Sequence, residues 1–544
     1  MLQRRIVCCV ALCAIYMQLP NARPDLRDTI NSEYYLALSY ALTHGLGYTR
    51  SLVAGMYVPH TTWPPGFPLL LAPVTVLDGL PLPWLAIKIY LIGLGLAGVA
   101  LAWLYVKRVT NSIVTADLAA LFLALLPTYW LFSRMAMTEC PSIGFILFAL
   151  LLIDMVWARR RPRAMSVAAV ALVSGLGMLL RGTNLCLLLA PLGYLVGERK
   201  AVVGPSQRIG LIALHALAFC LPAAMWALRN HSIDRHGLGI VDGFDQFRMF
   251  FTVNPLDSAS PLLAPRDMLR VVFDNLTGRI IYLIPEQLIP GLWAVDWRDW
   301  PHARLMGLLV LLAITLLALP RRTVGAPLRI RIPLHAAGLV ITVLALPRRA
   351  LGLPLMITIA FYGAGLSFYA LGWLPRFWIP VTSLLMLLIL IQVSPLLDRL
   401  HKHLRLLLIS ALTIVYTVNC VVFALRFDAH PYDGDLGDLV ALFDRVGNLQ
   451  PSPSAVLATH HVLLTLSTGV PAPLTVPERG LEPHYTGLIL RHPESLYAPP
   501  LPIRQQPLGA ALLMSQGAWN YYVLPKPMTL GELSRAAPRD ATDR

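Results

Sequence analysis

The chain has 544 residues, of which 56% are apolar and only 13% are charged, and its formal net charge is +15. A soluble globular domain carries about 25% charged residues, so this composition excludes a soluble domain and indicates a polytopic membrane protein. The positive charge does not indicate a nucleic-acid partner, because the basic residues fall in short groups between apolar runs rather than along one face.

Membrane-spanning helices are the first predicted elements. A helix needs about 20 apolar residues to cross the hydrocarbon core of a bilayer. Hydropathy predicts about eleven such segments, so the expected fold class is an all-α polytopic membrane protein. They lie near residues 6–20, 83–106, 112–131, 141–157, 165–180, 184–197, 209–228, 303–319, 351–371, 377–396 and 406–425.

The basic groups predict the orientation of these helices. Arg and Lys residues cluster at every second junction, and the positive-inside rule places those junctions and the N-terminus in the cytoplasm. The remaining junctions, among them the long loops 21–82 and 229–302, then lie on the outer face. The short apolar segment 332–346 has basic pairs on both sides, so we expect it to dip into or lie along the cytoplasmic face. The expected location is the inner (plasma) membrane.

The C-terminal residues 427–544 differ in character from the transmembrane domain, residues 1–426. Apolar residues recur at helical spacing from Leu436 to Val446, whereas Ser454–Thr459 and Trp519–Leu524 have the pattern of short strands. We therefore expect a small extracytoplasmic α/β domain with a frayed end.

The first outer loop concentrates polar and aromatic residues in a chain that is mostly apolar. Asp28 and Glu33 lie at the start of a predicted helix that ends at Gly45-Leu-Gly47, and His60 and a Pro-Pro-Gly turn follow. Polar groups near a bilayer indicate a functional site. The alternative is that the acids only interact with a helix N-terminus, where a carboxylate is favourable.

Further charged residues are predicted at the same membrane face. Glu139 lies in a short outer junction, and Arg181, Arg229 and Arg376 lie at outer ends of predicted spans. An arginine at such an end often only extends its charge toward water. However, its planar guanidinium can also donate two hydrogen bonds to one phosphate. Acids and arginines at one face therefore indicate a lipid-phosphate substrate.

The order of these motifs resembles the GT-C superfamily of membrane glycosyltransferases, in particular bacterial relatives of protein O-mannosyltransferases and of the lipid A aminoarabinose transferase. The resemblance extends over the whole membrane part. The matching motifs are Tyr35-Leu-Ala-Leu-Ser39, Gly45-Leu-Gly-Tyr48, Pro64-Pro-Gly-Phe-Pro68, Arg134-Met-Ala-Met-Thr-Glu139, Leu180-Arg181, Arg229-Asn230 and Pro375-Arg376-Phe-Trp-Ile-Pro380.

The resemblance implies transfer of a sugar from a polyprenyl-phosphate-linked donor to a lipid, glycan or protein acceptor at the outer (periplasmic) face. The reaction would be an inverting displacement in which a carboxylate acts as base and arginines stabilise the leaving phosphate. No cofactor is implied, and dependence on a divalent metal stays open. The implied catalytic acids are Asp28, then Glu33, together with Glu139, and the implied substrate-binding residues are Tyr35, His60, Arg181, Arg229 and Arg376.

One departure from the family pattern leaves alternatives open. The family has its catalytic Asp three or four residues before the Tyr, where this chain has Asn31. An amide cannot accept a proton, so a catalytically decayed assembly protein is one alternative. A transporter of a lipid-linked solute is another, but it predicts charges near mid-membrane and an inverted repeat, and the sequence has neither.

The charge pattern yields a prediction about topology. A periplasm-dependent reporter fused after residue 427 should be active, because the basic groups place the tail on the outer face. A matched fusion within Arg159–Arg163 should be inactive, since that junction is predicted to be cytoplasmic. The reverse pattern would contradict both the topology and the outer-face site.

Overall fold

The fold is known from a computed structural model, which describes part of the chain. The described residues are 29–49, 59–77, 80, 82–159, 161–197, 205–235, 261–275, 281–292, 302, 305–309, 352–367, 375–429, 442, 455–457, 485–491, 511–516 and 519–528. Several predicted features lie outside this set: Asp28, the first span at 6–20, the span at 303–319 apart from residues 305–309, the segment 332–346, and the helix expected from Leu436 to Val446 apart from Leu442.

Two helices lie in the described part of the loop 21–82, the first predicted outer loop. Helix α1 is Thr29–Thr43, and helix α2 is Gly66–Thr75. The chain leaves α1 through Gly45 and Gly47, whose φ angles are +72° and +82°, a conformation that glycine adopts without steric cost. The two helices bury an apolar contact between them, and the hydroxyls of Ser39 and Thr75 are hydrogen-bonded across it at 2.8 Å.

Helices account for most of the remaining described residues. Among the described residues, α3, α6, α9, α13 and α14 contain the five segments that are long and apolar enough to cross a membrane, judged by length and composition. The helices are α3 Trp84–Thr110, α4 Ile113–Leu125, α5 Pro127–Phe132, α6 Glu139–Trp157, α7 Ala164–Leu180, α8 Leu192–Gly197, α9 Pro205–Arg235, α10 Pro265–Asp274, α11 Ile281–Leu288, α12 Leu353–Ser367, α13 Ile379–Arg399 and α14 Lys402–Ala429. Two 3₁₀ helices, Gly182–Leu189 and Pro375–Trp378, complete the described helical structure.

Two segments expected as continuous spans are interrupted by proline. The segment at 112–131 divides into α4 and α5 because Pro127 has no amide hydrogen to continue the helix and forces Leu126 into an extended conformation. The segment at 184–197 begins as the first 3₁₀ helix, and α8 starts only after Pro191. In both cases the expectation of one regular helix was wrong. Hydropathy averaged over an apolar run does not respond to a single proline, although that proline interrupts the helix.

Helix α13 lies in the apolar core of the helical part. The side chains of Leu384, Leu387 and Ile391 are fully buried. Helix α13 also contacts α4 through a hydrogen bond of 2.7 Å between the hydroxyls of Ser394 and Thr115. The two buried hydroxyls thus satisfy each other, which limits the free-energy cost of burying them.

The C-terminal part contains a four-stranded sheet. Its strands are β1 Ala455–Leu457, β2 Tyr485–Arg491, β3 Ala511–Gln516 and β4 Trp519–Met528, in the order β1-β2-β4-β3. Strand β1 is parallel to β2, and the other two pairs are antiparallel. Strands expected at 454–459 and 519–524 correspond to β1 and β4. The small α/β domain as a unit stays a prediction.

A glycine contact between α7 and α9 gives a prediction about stability. A Cβ atom on Gly175 would lie 2.1 Å from the carbonyl oxygen of Phe219, so Gly175→Ala should push the helices apart. We expect it to lower the free energy of unfolding by about 1–3 kcal/mol, measured by thermal unfolding in detergent. The control is Gly210→Ala on α9, where the added methyl group meets nothing within 4 Å. Equal effects of the two changes would contradict the close contact.

Candidate active site

A buried ion pair joins the start of α6 to the end of α7. Glu139 is the first residue of α6, and Arg181 directly follows α7. Arg181 Nη1 lies 2.9 Å from Glu139 Oε1 and also donates a hydrogen bond of 2.6 Å to the Thr138 hydroxyl. The Arg181 side chain is 9% exposed and the Glu139 side chain 1%. The short connection between α6 and α7 makes these helices antiparallel neighbours, so the end of one meets the start of the other.

The charges of this pair depend on each other. Burial by itself lowers the pKa of the Arg181 guanidinium, but the Glu139 carboxylate, with smaller effects of Tyr362 and Tyr35, outweighs burial and raises the pKa overall. Arg181 therefore stays cationic in its buried position. The second oxygen of the carboxylate, Glu139 Oε2, is also buried and has no hydrogen-bond partner among the described residues.

Tyr35 of α1 brings the first outer loop to the ion pair. Burial raises the pKa of the Tyr35 hydroxyl, which also interacts with Arg181, Glu139 and the Thr138 side chain. The hydroxyl is therefore protonated at neutral pH and can donate a hydrogen bond. Its ring is held by α2, because the centroid of Phe67 lies 5.0 Å away in an edge-on arrangement.

The second 3₁₀ helix adds a second arginine from a distant part of the sequence. The guanidinium carbon of Arg181 lies 5.5 Å from the ring centroid of Phe377, and that of Arg376 lies 5.0 Å from the same centroid. Both distances are within the range of cation–π attraction. Two guanidinium groups thus contact the same ring, so both arginines belong to the surroundings of the ion pair.

The loop at residues 59–63 is held by a different arginine. Arg229 Nη1 donates 2.9 Å and 2.8 Å hydrogen bonds to the carbonyl of His60 and to Asn230 Oδ1, and Asn230 Nδ2 donates to the carbonyl of Thr61 at 2.9 Å. His60 is buried, and its Nε2 accepts a hydrogen bond from the backbone amide of Trp63. Arg229 and His60 therefore have protein partners that fix the loop against the C-terminal end of α9.

The glycine of the Pro-Pro-Gly turn has a packing role beside the ion pair. A Cβ atom on Gly66 would lie 2.5 Å from the carbonyl carbon and oxygen of Leu179 and 2.6 Å from the amide of Leu180. Only glycine allows the turn to approach the backbone that immediately precedes Arg181. The turn motif is thus explained by its contact with the candidate site.

The other two acids are placed less directly. Glu33 is 4% exposed in α1, two residues before Tyr35, and residues two apart point to different faces of a helix. Asp28 lies outside the described residues. Among the residues that the structure describes, no group of three or more His, Cys, Asp or Glu side chains could hold a metal ion.

Sequence reasoning did not identify several residues that contact the ion pair. Thr138 and Phe377 lie next to predicted site residues, so the motifs contained a signal that was not used. Tyr362 is 1% exposed in α12 and close enough to influence Arg181 electrostatically. Its only sequence signal is a hydroxyl in an apolar helix.

The ion pair gives a prediction about stability. Arg181→Ala would leave Glu139 buried and charged without its partner, so the free energy of unfolding should fall by about 3–5 kcal/mol. The matched control is Arg108→Ala, because the Arg108 side chain is 46% exposed in its ion pair with Asp154. Removal of such an exposed charge should cost no more than about 1 kcal/mol. Thermal unfolding in detergent measures both, and equal losses would contradict the buried pair.

Two comparisons with known proteins agree with this arrangement. Residues 63–226 match the family model described as dolichyl-phosphate-mannose-protein mannosyltransferase. The match includes the Pro-Pro-Gly turn, Glu139, Arg181 and α9 up to Trp226. No curated protein matches the chain.

A solved structure shares the fold. The crystal structure of ArnT from Cupriavidus metallidurans in the apo state superimposes with a TM-score of 0.53 over 99% of this chain and 99% of that one, at 12% sequence identity. At this identity the likeness shows the fold. The residues matched by the mannosyltransferase family model lie within the region that shares this fold.

Proposed function

We propose that the protein transfers a sugar from a polyprenyl-phosphate-linked donor to a lipid, glycan or protein acceptor at the outer face of the membrane. The observation that carries this proposal is the buried ion pair of Glu139 and Arg181, which meets Tyr35 from the first outer loop and Phe377 beside Arg376. Charged groups from distant segments converge there, as a site for a charged substrate requires.

Arg181 and Arg376 bind the phosphate of the donor. Their guanidinium groups contact the same ring, and the proposal requires both to lie on one side of it, so that one phosphate receives hydrogen bonds from both. A donor with one sugar linked through phosphate to a lipid carries a single negative charge. The leaving lipid phosphate carries a second one, and the two arginines stabilise this charge more strongly as it develops.

Glu139 acts through both carboxylate oxygens. Oε1 holds Arg181 in place, and the buried Oε2 accepts a hydrogen bond from a substrate hydroxyl. This contact explains why an acceptor atom is buried without a hydrogen-bond partner among the described residues, which would otherwise be costly. The Tyr35 hydroxyl, which is neutral at physiological pH, donates a hydrogen bond to an oxygen of the substrate.

Asp28 is the proposed base, with Glu33 as the second candidate. Asp28 precedes Tyr35 by seven residues in the sequence, a spacing that brings two side chains to one face wherever a helix is continuous. Glu33 has the spacing of the opposite face. The carboxylate removes the proton of the acceptor hydroxyl, whose oxygen attacks the anomeric carbon. The bond from that carbon to the phosphate oxygen breaks with inversion, and the electron pair leaves with the lipid phosphate.

His60 and Arg229 shape the acceptor side in this proposal. Both belong to the contact between residues 59–63 and the outer end of α9, so they fix the loop that borders Tyr35. Their effect on the substrate is then through the position of Trp63, whose ring lies 5.6 Å from that of Tyr35.

The arginine fork gives a prediction about transfer. Arg376→Lys keeps the charge but loses the two-pronged donor, so the rate should fall about tenfold or more, and Arg376→Ala should lower it by roughly 10²–10³-fold. The assay measures transfer of radiolabelled mannose or aminoarabinose from synthetic polyprenyl-phosphate donors by the purified protein. Arg108→Lys, outside the candidate site, is the control and should retain the wild-type rate.

The same assay separates the proposal from its alternatives. A wild-type rate in Arg376→Lys would remove the reason for placing a phosphate there, whereas a transporter would transfer sugar in neither the wild type nor the variant. A protein that binds the donor but transfers neither sugar would favour the decayed assembly protein. Asp28→Asn should lower the rate by about 10²–10⁴-fold, and a silent Asp28→Asn would reject Asp28 as base.

A further inference from the structure

A second buried polar contact joins α6 to the 3₁₀ helix that follows α7. Its two residues, Ser142 and Asn184, each come three positions after a partner of the ion pair. The Ser142 hydroxyl donates a hydrogen bond of 2.6 Å to Asn184 Oδ1, and Asn184 Nδ2 donates one of 3.0 Å to the carbonyl of Gly177. Ser142 and Asn184 are both fully buried, with 0% exposure. A buried asparagine in an apolar region is costly unless its polar atoms are satisfied, and here both are.

This contact repeats the geometry of the ion pair one helical turn further in. Along α6, the amide of Ser142 donates to the carbonyl of Thr138, the residue before Glu139. Along the other chain, the amide of Arg181 donates to the carbonyl of Gly177, and the amide of Asn184 donates to the carbonyl of Arg181. Asn184 is therefore tied by the backbone to Arg181 itself, and Ser142 is tied to Thr138, whose hydroxyl accepts a hydrogen bond from Arg181.

The Asn184 side chain is not needed to give the last carbonyl groups of α7 a hydrogen-bond partner. The Gly177 carbonyl already accepts the amide of Arg181, so the side chain of Asn184 adds only a second bond to it. The bond that crosses between the two segments is the one from Ser142. This bond opposes sliding of α6 along α7, which would move Glu139 away from Arg181.

We propose that Ser142 and Asn184 are a positioning pair that sets the register of α6 and α7 and thereby holds Arg181 against Glu139. The pair also holds the Arg181 guanidinium at the donor phosphate, and this second step rests on the proposed function. A hydrogen-bonded hydroxyl is a short, directional link, so its loss shifts the register by a fraction of an ångström without separating the helices. A shift of that size matters because phosphate binding and transfer depend on the position of the fork.

The test is a double-mutant cycle on thermal unfolding in detergent with the full chain. The four proteins are wild type, Ser142→Ala, Arg181→Ala and the double variant. Ser142 and Arg181 lie on different segments, so their effects add unless the register couples them. Ser142→Ala lowers the midpoint of thermal unfolding in both backgrounds. We expect its effect in the Arg181→Ala background to be less than about half of its effect in the wild-type background.

A second buried serine supplies the control. Ser174 of α7 is also 0% exposed, but its hydroxyl donates to Val170 within the same helix at 2.8 Å. Ser174→Ala should lower the midpoint equally in both backgrounds. Equal, additive losses for Ser142→Ala as well would overturn the positioning role and leave an ordinary structural contact. Asn184→Ala should behave as Ser142→Ala does; if it does not accumulate, Ser142→Ala alone decides.

Transfer is measured on the same proteins with the synthetic polyprenyl-phosphate donors. Ser142→Ala should lower the rate roughly tenfold while Ser174→Ala retains it, because only the first shifts the arginine fork. A wild-type rate in Ser142→Ala would overturn the link to catalysis. If the wild-type protein transfers neither sugar, the proposed function fails, whereas the unfolding cycle still decides whether Ser142 and Asn184 position the ion pair.

Discussion

The ion pair of Glu139 and Arg181 is the constraint on which the rest of the site depends. Moving two charges out of water costs several kcal/mol for each ion, and attraction offsets this cost only if their geometry is well fixed. Both side chains are nearly fully buried, so neither can be compensated by solvent. The surrounding contacts meet this requirement. The Thr138 hydroxyl accepts a second hydrogen bond from the Arg181 guanidinium, and Gly66 allows a turn to pack against the backbone just before Arg181.

The fold satisfies that constraint by bringing the ends of several helices together. The charged side chains do not lie along a single helix. Glu139 begins a helix, Arg181 ends one, Tyr35 comes from the outer loop, and Arg376 lies in a 3₁₀ helix before α13. Each position is near the end of an apolar segment, where a polar group can reach its partners without crossing the apolar core. Apolar helices of fixed length bring their ends to one level, so residues far apart in sequence converge there.

This arrangement explains what the sequence could and could not predict. The apolar runs predicted α3, α6, α9, α13 and α14, because hydropathy is a local property. The breaks at Pro127 and Pro191 were missed, since the runs stay apolar across them. The contacts of Tyr35 with Arg181 and of Arg181 with Phe377 join positions more than about a hundred residues apart. Such pairs depend on helix packing, which no local pattern specifies.

The arginines show how residues of similar sequence context acquire different roles. Arg229 and Arg181 both lie near the outer end of a predicted span, and hydropathy does not distinguish them. Arg229 donates to the carbonyl of His60 and the amide oxygen of Asn230, and it lies over the rings of Tyr48 and Trp226, contacts that hold a loop. Arg181 faces a buried carboxylate and an aromatic ring. A carboxylate fixes the direction of a guanidinium more strongly than neutral acceptors do, because the hydrogen bond is charge-assisted. Orientation of this kind is what binding a phosphate in a fixed position requires, so the partner of each arginine decides its role.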